Sequence, residues 1–252
     1  MVNWTTLSSI FLPEASGIPV LMYHEVHASR RDGLTVSVSD FSKQLDWLTS
    51  RNYQTITLRE FLNFKEGNIP RDRLPERPIV LTFDDGYRGL VEHALPHLQK
   101  RHFTACLFVT TSYIQEREQR LDSPYLSLGE LQTWIKNGME VALHSHSHPN
   151  YRIASLDEIQ RDLLQEESLL QSWEIPYLRA LAYPFGARPK DSTHLKLALK
   201  TLGMRAAFRI GNRVSSLAPE KDLFEIKRID IQGTDSQIEF TVKVKKGRSK
   251  LF

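Results

Sequence analysis

Cysteine is almost absent from this chain: Cys106 is the only one in 252 residues. A lone cysteine excludes an internal disulfide, and its setting in the apolar stretch 104–109 reads as a small core residue, not a nucleophile. Long apolar runs are missing as well. No segment has the roughly 18 apolar residues of a membrane span. Residues 1–13 have neither a basic start nor a long apolar centre, so they do not read as a signal peptide, and the compartment stays open. Charge of one sign is scarce, since 33 Lys and Arg against 30 Asp and Glu leave a net +3, too little to argue for nucleic acid. Part of that excess sits in the tail Lys243, Lys245, Lys246, Arg248 and Lys250, which reads as a solvated terminus. Residues 1–16 and 243–252 are therefore expected to be flexible ends of one domain spanning 1–252. Internal repeats and low-complexity segments are absent too. What remains is 40% hydrophobic and 25% charged, ordinary for a globular protein long enough for a full core.

The pattern that is present is alternation. Strand-like runs occur at 18–23, 53–57, 79–83, 105–109, 140–143, 180–183, 206–209 and 224–231. Helical spacing separates them. One helix is capped at Ser39-Asp40 and continues through Phe41, Leu45 and Leu48; others cover 58–64, 90–101, 127–137, 155–172 and 192–202. Pro96 kinks the 90–101 helix or marks its second half, Ser155 with Glu158 forms a capping box, and Gly138 and Gly203 close two others. Residues 67–78, rich in proline and arginine, read as a surface loop. Strands alternating with helices predict an α/β fold with parallel strands and helical crossovers, seven or so units closing into a barrel.

In such a barrel the working residues gather at the strand C-termini. His24, Asp84-Asp85, His144 to His148 and Tyr183-Pro184-Phe185-Gly186 each follow a predicted strand directly. Two acids at the exit of a buried strand are costly to ionise unless something compensates, and a metal ion is one compensation. In an extended chain His144 and His148 lie about 13 Å apart, too far to share an ion. A helical turn would bring them to about 6 Å and send His146 elsewhere. Extended geometry favours pairs two apart, and spacing leaves both open. One carboxylate with two histidines suits a catalytic zinc or a related divalent ion. The second carboxylate is then free as general base. Tyr87 and Tyr151 read equally as walls of a ligand groove or as packing, and Trp47, Trp134 and Trp173 as packing. The other histidines, 27, 93, 97, 102 and 194, carry no pattern.

Thr82-Phe83-Asp84-Asp85-Gly86 and His144-Ser145-xx-His148 resemble the first two motifs of the polysaccharide deacetylases, the NodB-homology or carbohydrate esterase family 4. The resemblance spans residues 82 to 186 and implies a distorted (β/α)7 barrel that removes N- or O-acetyl groups from sugars with a divalent metal, zinc, with cobalt or nickel as alternatives. By it Asp84 is the catalytic base, and Asp85, His144 and His148 hold the metal. Tyr183-Pro184-Phe185-Gly186 is similar to the third motif and would wall the acetyl pocket, with the Phe185 N–H on the oxyanion; Tyr87 would line the sugar groove.

Two departures stand out. The arginine that opens the family's third motif falls at Ala182, leaving Arg179 and Arg228 as candidates to orient the base. The family's last motif, a leucine ahead of a His-acid pair, is missing, since no histidine follows His194. Leu21-Met22-Tyr23-His24-Glu25 matches that motif at the other end of the chain, which predicts a circular permutation with His24 as general acid. This order resembles the branch acting on β-1,6-linked poly-N-acetylglucosamine in biofilms. It implies an acetylated polysaccharide or oligosaccharide as partner and an extracellular or envelope location. The alternatives are an acetylxylan-type O-deacetylase, a small-amide hydrolase, or a non-catalytic sugar-binding member.

Overall fold

In the computed structural model, residues 14–248 are described; the expectations for 1–13 and 249–252 lie outside them. The apolar runs form ten strands: β1 (Val20–Tyr23), β2 (Glu25–His27), β3 (Thr35–Ser37), β4 (Gln54–Thr55), β5 (Pro78–Asp85), β6 (Cys106–Val109), β7 (Glu140–Leu143), β8 (Leu178–Ala182), β9 (Ala206–Ile210) and β10 (Ile226–Asp230). Seven of them, in the order β1-β10-β9-β8-β7-β6-β5, pair in parallel and close when β5 returns to β1. This is the expected (β/α)7 barrel. Strand β1 closes it, with Leu21 level with Ile229 on one side and Leu81 on the other. Strand β4 attaches outside β5, and β2 pairs only with β3.

The period-2 alternation of strand side chains divides the core in two. Val20, Val80, Cys106, Phe108, Ala142, Ala180, Ala206, Phe208 and Ile226 pack together as one cluster. Their neighbours Leu21, Leu81, Leu107, Val141, Leu181, Ala207 and Ile229 pack with the helices as the other. Cys106 is fully buried in the first. The helix Leu58–Lys65 joins that cluster by setting Phe61 against Phe208, 6.2 Å between ring centres. It sits at the strand N-terminal end, where Glu140 accepts the Leu58 N–H. The opposite end, at the strand C-termini, is left for the site.

Several local expectations are corrected. The first helix, Val38–Ser50, is capped by Ser37, whose side chain accepts the Asp40 N–H, so Ser39 and Asp40 lie inside its first turn. The expected 90–101 helix starts as a π-helical turn, Leu90–Ala94, and continues as Leu95–Gln99; Pro96 is tolerated in that second first turn, where no N–H is needed. Helix Thr111–Gln119 has no counterpart in the sequence pattern, because it buries only Thr111 and Ile114. The basic tail is not solvated as far as Lys246: Gln237–Lys246 is a helix with a capping box, and Lys243 is buried, donating to Asp235 and to the Asp230 carbonyl. Alternating buried residues with lysines hid this helix among charge. No helix among the described residues is long and apolar enough to cross a membrane.

Candidate active site

In a regular strand Asp84 and Asp85 would point to opposite faces. They do not, because Asp85 turns to φ 72 and Gly86 to φ 102. Aspartate tolerates this left-handed region better than most residues. The turn brings both carboxylates to one cavity of about 300 Å³ at the strand C-termini. Asp84 is 2% exposed and held by Arg228 of β10, Nη1 to Oδ1 and Nη2 to Oδ2 at 2.6 Å each. Arg228 also donates to Thr82 Oγ1, which donates in turn to the Leu21 carbonyl. Burial pushes the Asp84 pKa up, but the Arg228 charge and hydrogen bonds, with His144 and His24, outweigh it and leave the pKa at about 2. Asp85 has no such partner, so burial and the Asp84 charge raise it to about 7.

The histidine loop is neither extended nor helical. Ser145 at φ 75 and His148 at φ 54 fold it back, and the Ser145 hydroxyl accepts the His148 N–H. The Nε2 atoms of His144 and His148 come to 3.2 Å, and Asp85 Oδ1 lies 3.5 Å from each. His144 Nδ1 sits 2.8 Å from the Ala182 carbonyl, which fixes the proton there and leaves the Nε2 lone pair facing Asp85. Burial lowers the His144 pKa to about 3, so the ring is neutral. His146 turns away toward Thr111 Oγ1 and Gln165, each at 2.9 Å.

These residues fit a divalent cation. Three donors at 3.2 to 3.5 Å match the edge of a tetrahedron with bonds near 2.1 Å, about 3.4 Å. The ligand set is one carboxylate and two neutral imidazoles, a set zinc accepts. Asp85 Oδ1 is buried with no hydrogen-bond partner, which a cation would relieve. Asp85, His144 and His148 are the group among the described residues able to hold an ion this way.

His24, at the end of β1, lines the same cavity, as do Phe185 and Gly186. Its Nδ1 is buried and unpartnered. Burial lowers its pKa, while Asp84 and Asp230 pull it back up. Phe185 reaches the rim at φ 58, 64% exposed, with its ring 4.4 Å from that of His148. Tyr183 does not line the cavity: its ring is fully buried and its hydroxyl donates to the Phe224 carbonyl. Tyr87 stands outside the lining, half-buried against Tyr125 at 5.1 Å, and the Tyr113 ring stacks on Tyr125 in turn. Arg179 is remote, donating to the Leu202 carbonyl. Two polar lining residues escaped the sequence reading, Asp230 and Gln232, the latter donating to the former at 2.8 Å. Asp230 follows Arg228 by two on one strand, so period 2 could have flagged it.

The profile of a family described as Polysaccharide deacetylase matches residues 71–207, more than half of the chain. A Staphylococcus aureus (strain MRSA252) protein named Poly-beta-1,6-N-acetyl-D-glucosamine N-deacetylase is 28% identical over 219 residues, covering 83% of this chain and 71% of that protein. One of the same name from Staphylococcus epidermidis is 27% identical over 205 residues, covering 77% and 67%. Among solved structures, the Streptococcus pyogenes deacetylase PplD in complex with acetate superposes with a TM-score of 0.74 at 23% identity, covering 91% of this chain and 98% of its own. IcaB from Ammonifex degensii gives 0.75 at 23% identity, covering 91% and 97%. At those identities the structural likeness speaks for the fold.

Proposed function

The chain belongs to the polysaccharide deacetylase family, and from that premise we propose that it hydrolyses N-acetyl groups from an N-acetylglucosamine-containing polysaccharide, poly-β-1,6-N-acetylglucosamine in particular. The observation that carries this reading is the doubly hydrogen-bonded Asp84–Arg228 pair beside the Asp85, His144 and His148 donors, 3.9 Å from Asp84 Oδ2 to His144 Nε2. The permuted order follows from the same reading: β1 stands beside β10, where the family's last strand is expected.

Asp85, His144 and His148 would hold one divalent ion, zinc first, with cobalt or nickel as alternatives. Such an ion supplies Lewis acidity, lowering the pKa of water and polarising an acetyl carbonyl. Asp84 accepts the proton of the attacking water. Arg228 takes one lone pair on each Asp84 oxygen, and a carboxylate oxygen has two, so an acceptor direction remains. A carboxylate with a pKa of about 2 stays ionised at any working pH, but it is a weak base and needs an acidified donor. The Phe185 N–H is assigned to the oxygen on which charge develops; Phe185 and Gly186, in a left-handed turn, line the same cavity. His24 is the acid for the leaving amine; burial and Arg228 lower its pKa, and the Asp84 and Asp230 charges offset that only in part. Tyr87 borders the approaching sugar, while the Tyr183 carbonyl closes the Phe185 turn by accepting the Gly186 N–H at 2.8 Å. An exopolysaccharide substrate puts this work at the cell envelope or beyond it.

Purified protein is expected to release acetate from N-acetylglucosamine oligomers. Asp84→Asn should lose roughly 10²- to 10⁴-fold in that rate with divalent-ion affinity kept. Full activity in that variant would remove Asp84 from the role of base. Preferential release of O-acetyl over N-acetyl groups would make the protein an esterase on the same residues.

A further inference from the structure

Four successive backbone N–H groups of the histidine loop end on two carboxylates of the helix Leu156–Ser172. Glu166 Oε1 accepts from His144 N at 3.0 Å and Oε2 from Ser145 N at 2.8 Å. Asp162 Oδ2 accepts from His146 N at 2.8 Å and Oδ1 from Ser147 N at 3.0 Å, and also from the Ser147 hydroxyl. Residues four apart on a helix share a face, which is why the two side chains can follow one loop. Gln165, on the same helix, reaches His146 Nε2 at 2.9 Å.

We propose that Asp162 and Glu166 are positioning residues that hold the loop in the one shape from which His144 and His148 converge while His146 stays out. The inference rests on the reading that Asp85, His144 and His148 bind a divalent ion. His144 N–H still reaches the Val109 carbonyl at 3.0 Å, but the left-handed turn at Ser145 then takes the loop out of the barrel's hydrogen-bond ladder, so the N–H groups that follow need other acceptors. Only a carboxylate offers two acceptor oxygens side by side; an amide offers one, and its NH2 opposes the second N–H. Glu166 is fully buried and pairs with no cation among the described residues, so its polar partners are those two N–H groups. The same helix thus sorts the histidines: Glu166 and Asp162 fix the loop backbone, and Gln165 with Thr111 engages the ring that does not face Asp85.

The test uses the purified full chain, stripped with a chelator, as wild type, Asp162→Asn and Glu166→Gln. Zinc and cobalt are titrated by calorimetry, and backbone amide exchange is followed in the metal-free proteins. The expected result is a 10- to 100-fold weaker ion affinity, the range usual for groups that orient ligands. Amides 146 and 147 should exchange faster in Asp162→Asn, and amide 145 in Glu166→Gln, where amide 144 keeps the Val109 carbonyl. Asp162→Asn is only partly buried, so it keeps the test alive should Glu166→Gln fail to fold. Unchanged affinity with unchanged local exchange overturns the proposal. So does a uniform rise in exchange across the whole chain, which marks a merely structural role. A wild type that binds neither ion sinks the metal reading instead, and the exchange pattern then decides the clamp by itself.

Discussion

The two sides of the cavity are built in opposite ways. On one side Asp85, His144 and His148 come from the ends of β5 and β7, with β6 between them, and two short loops bring them together. On the other side Asp84 depends on Arg228, 144 positions away, and His24 arrives on the strand that closes the ring. The first side needs correct turns after two strands and the helix that follows them, whose Glu166 and Asp162 accept the loop N–H groups. The second exists only when the barrel is shut. The chemistry follows the same division. The first side offers neutral imidazoles and an orphaned carboxylate oxygen, donors that could hold a cation. The second keeps a carboxylate charged in a buried place by giving it a guanidinium.

If closure carries the second side, removing its guanidinium should hurt most. Arg228→Ala leaves Asp84 buried and unpaired, and should cost about 3–5 kcal/mol in urea melts. A loss below about 1 kcal/mol would mean that Asp84 finds other compensation. The sides should also separate by readout. His148→Ala should weaken zinc binding about 100-fold or more, beyond what orienting groups alone contribute. His24→Ala should keep ion affinity and lower kcat by roughly 10²-fold on acetylated oligomers. If His24→Ala also weakens ion binding, the two sides are one unit and the comparison fails.

The smallest effect lies away from the cavity, at Glu225, which Arg188 contacts at 2.7 Å and Lys196 at 3.1 Å. Burial raises its pKa, but these partners outweigh that and leave it below its ordinary value of 4.5. A lowered folded-state pKa gives stability that is present above the unfolded value and lost as pH falls through the folded one. The stability gap between wild type and Glu225→Gln, under about 1 kcal/mol for such a partly exposed pair, should hold at pH 6 and close on acidification below pH 4. A gap independent of pH would assign the effect to packing.

Much of this was legible in one dimension. Capping boxes at Ser155 and Glu158, apolar runs and glycine stops marked the elements of a parallel barrel, because each depends on residues a few positions apart. The carboxylate and histidine motifs were legible for the same reason. Helix Thr111–Gln119 was not, since its sequence shows no apolar stripe, and Gln237–Lys246 was not, since its lysines find carboxylate and carbonyl partners only in the fold. Spacing left the histidine loop open between two geometries, and the outcome was a third, set by left-handed turns at Ser145 and His148 that the spacing does not announce. Arg179 and Arg228 could both be named from sequence, with Arg228 put forward for the base; register put Arg228 on the strand beside β1 and left Arg179 exposed on β8, donating to the Leu202 carbonyl.

Sequence by itself determined which groups exist and which strand ends carry them: two acids at the end of β5, three histidines after β7, one histidine after β1. Only the tertiary structure decided their partners. Hydrogen bonds and ion pairs between distant residues depend on distances that chain connectivity leaves free until the ring closes. The fold then fixed Arg228 on Asp84, His24 across the cavity, and Glu166 with Asp162 behind the histidine loop.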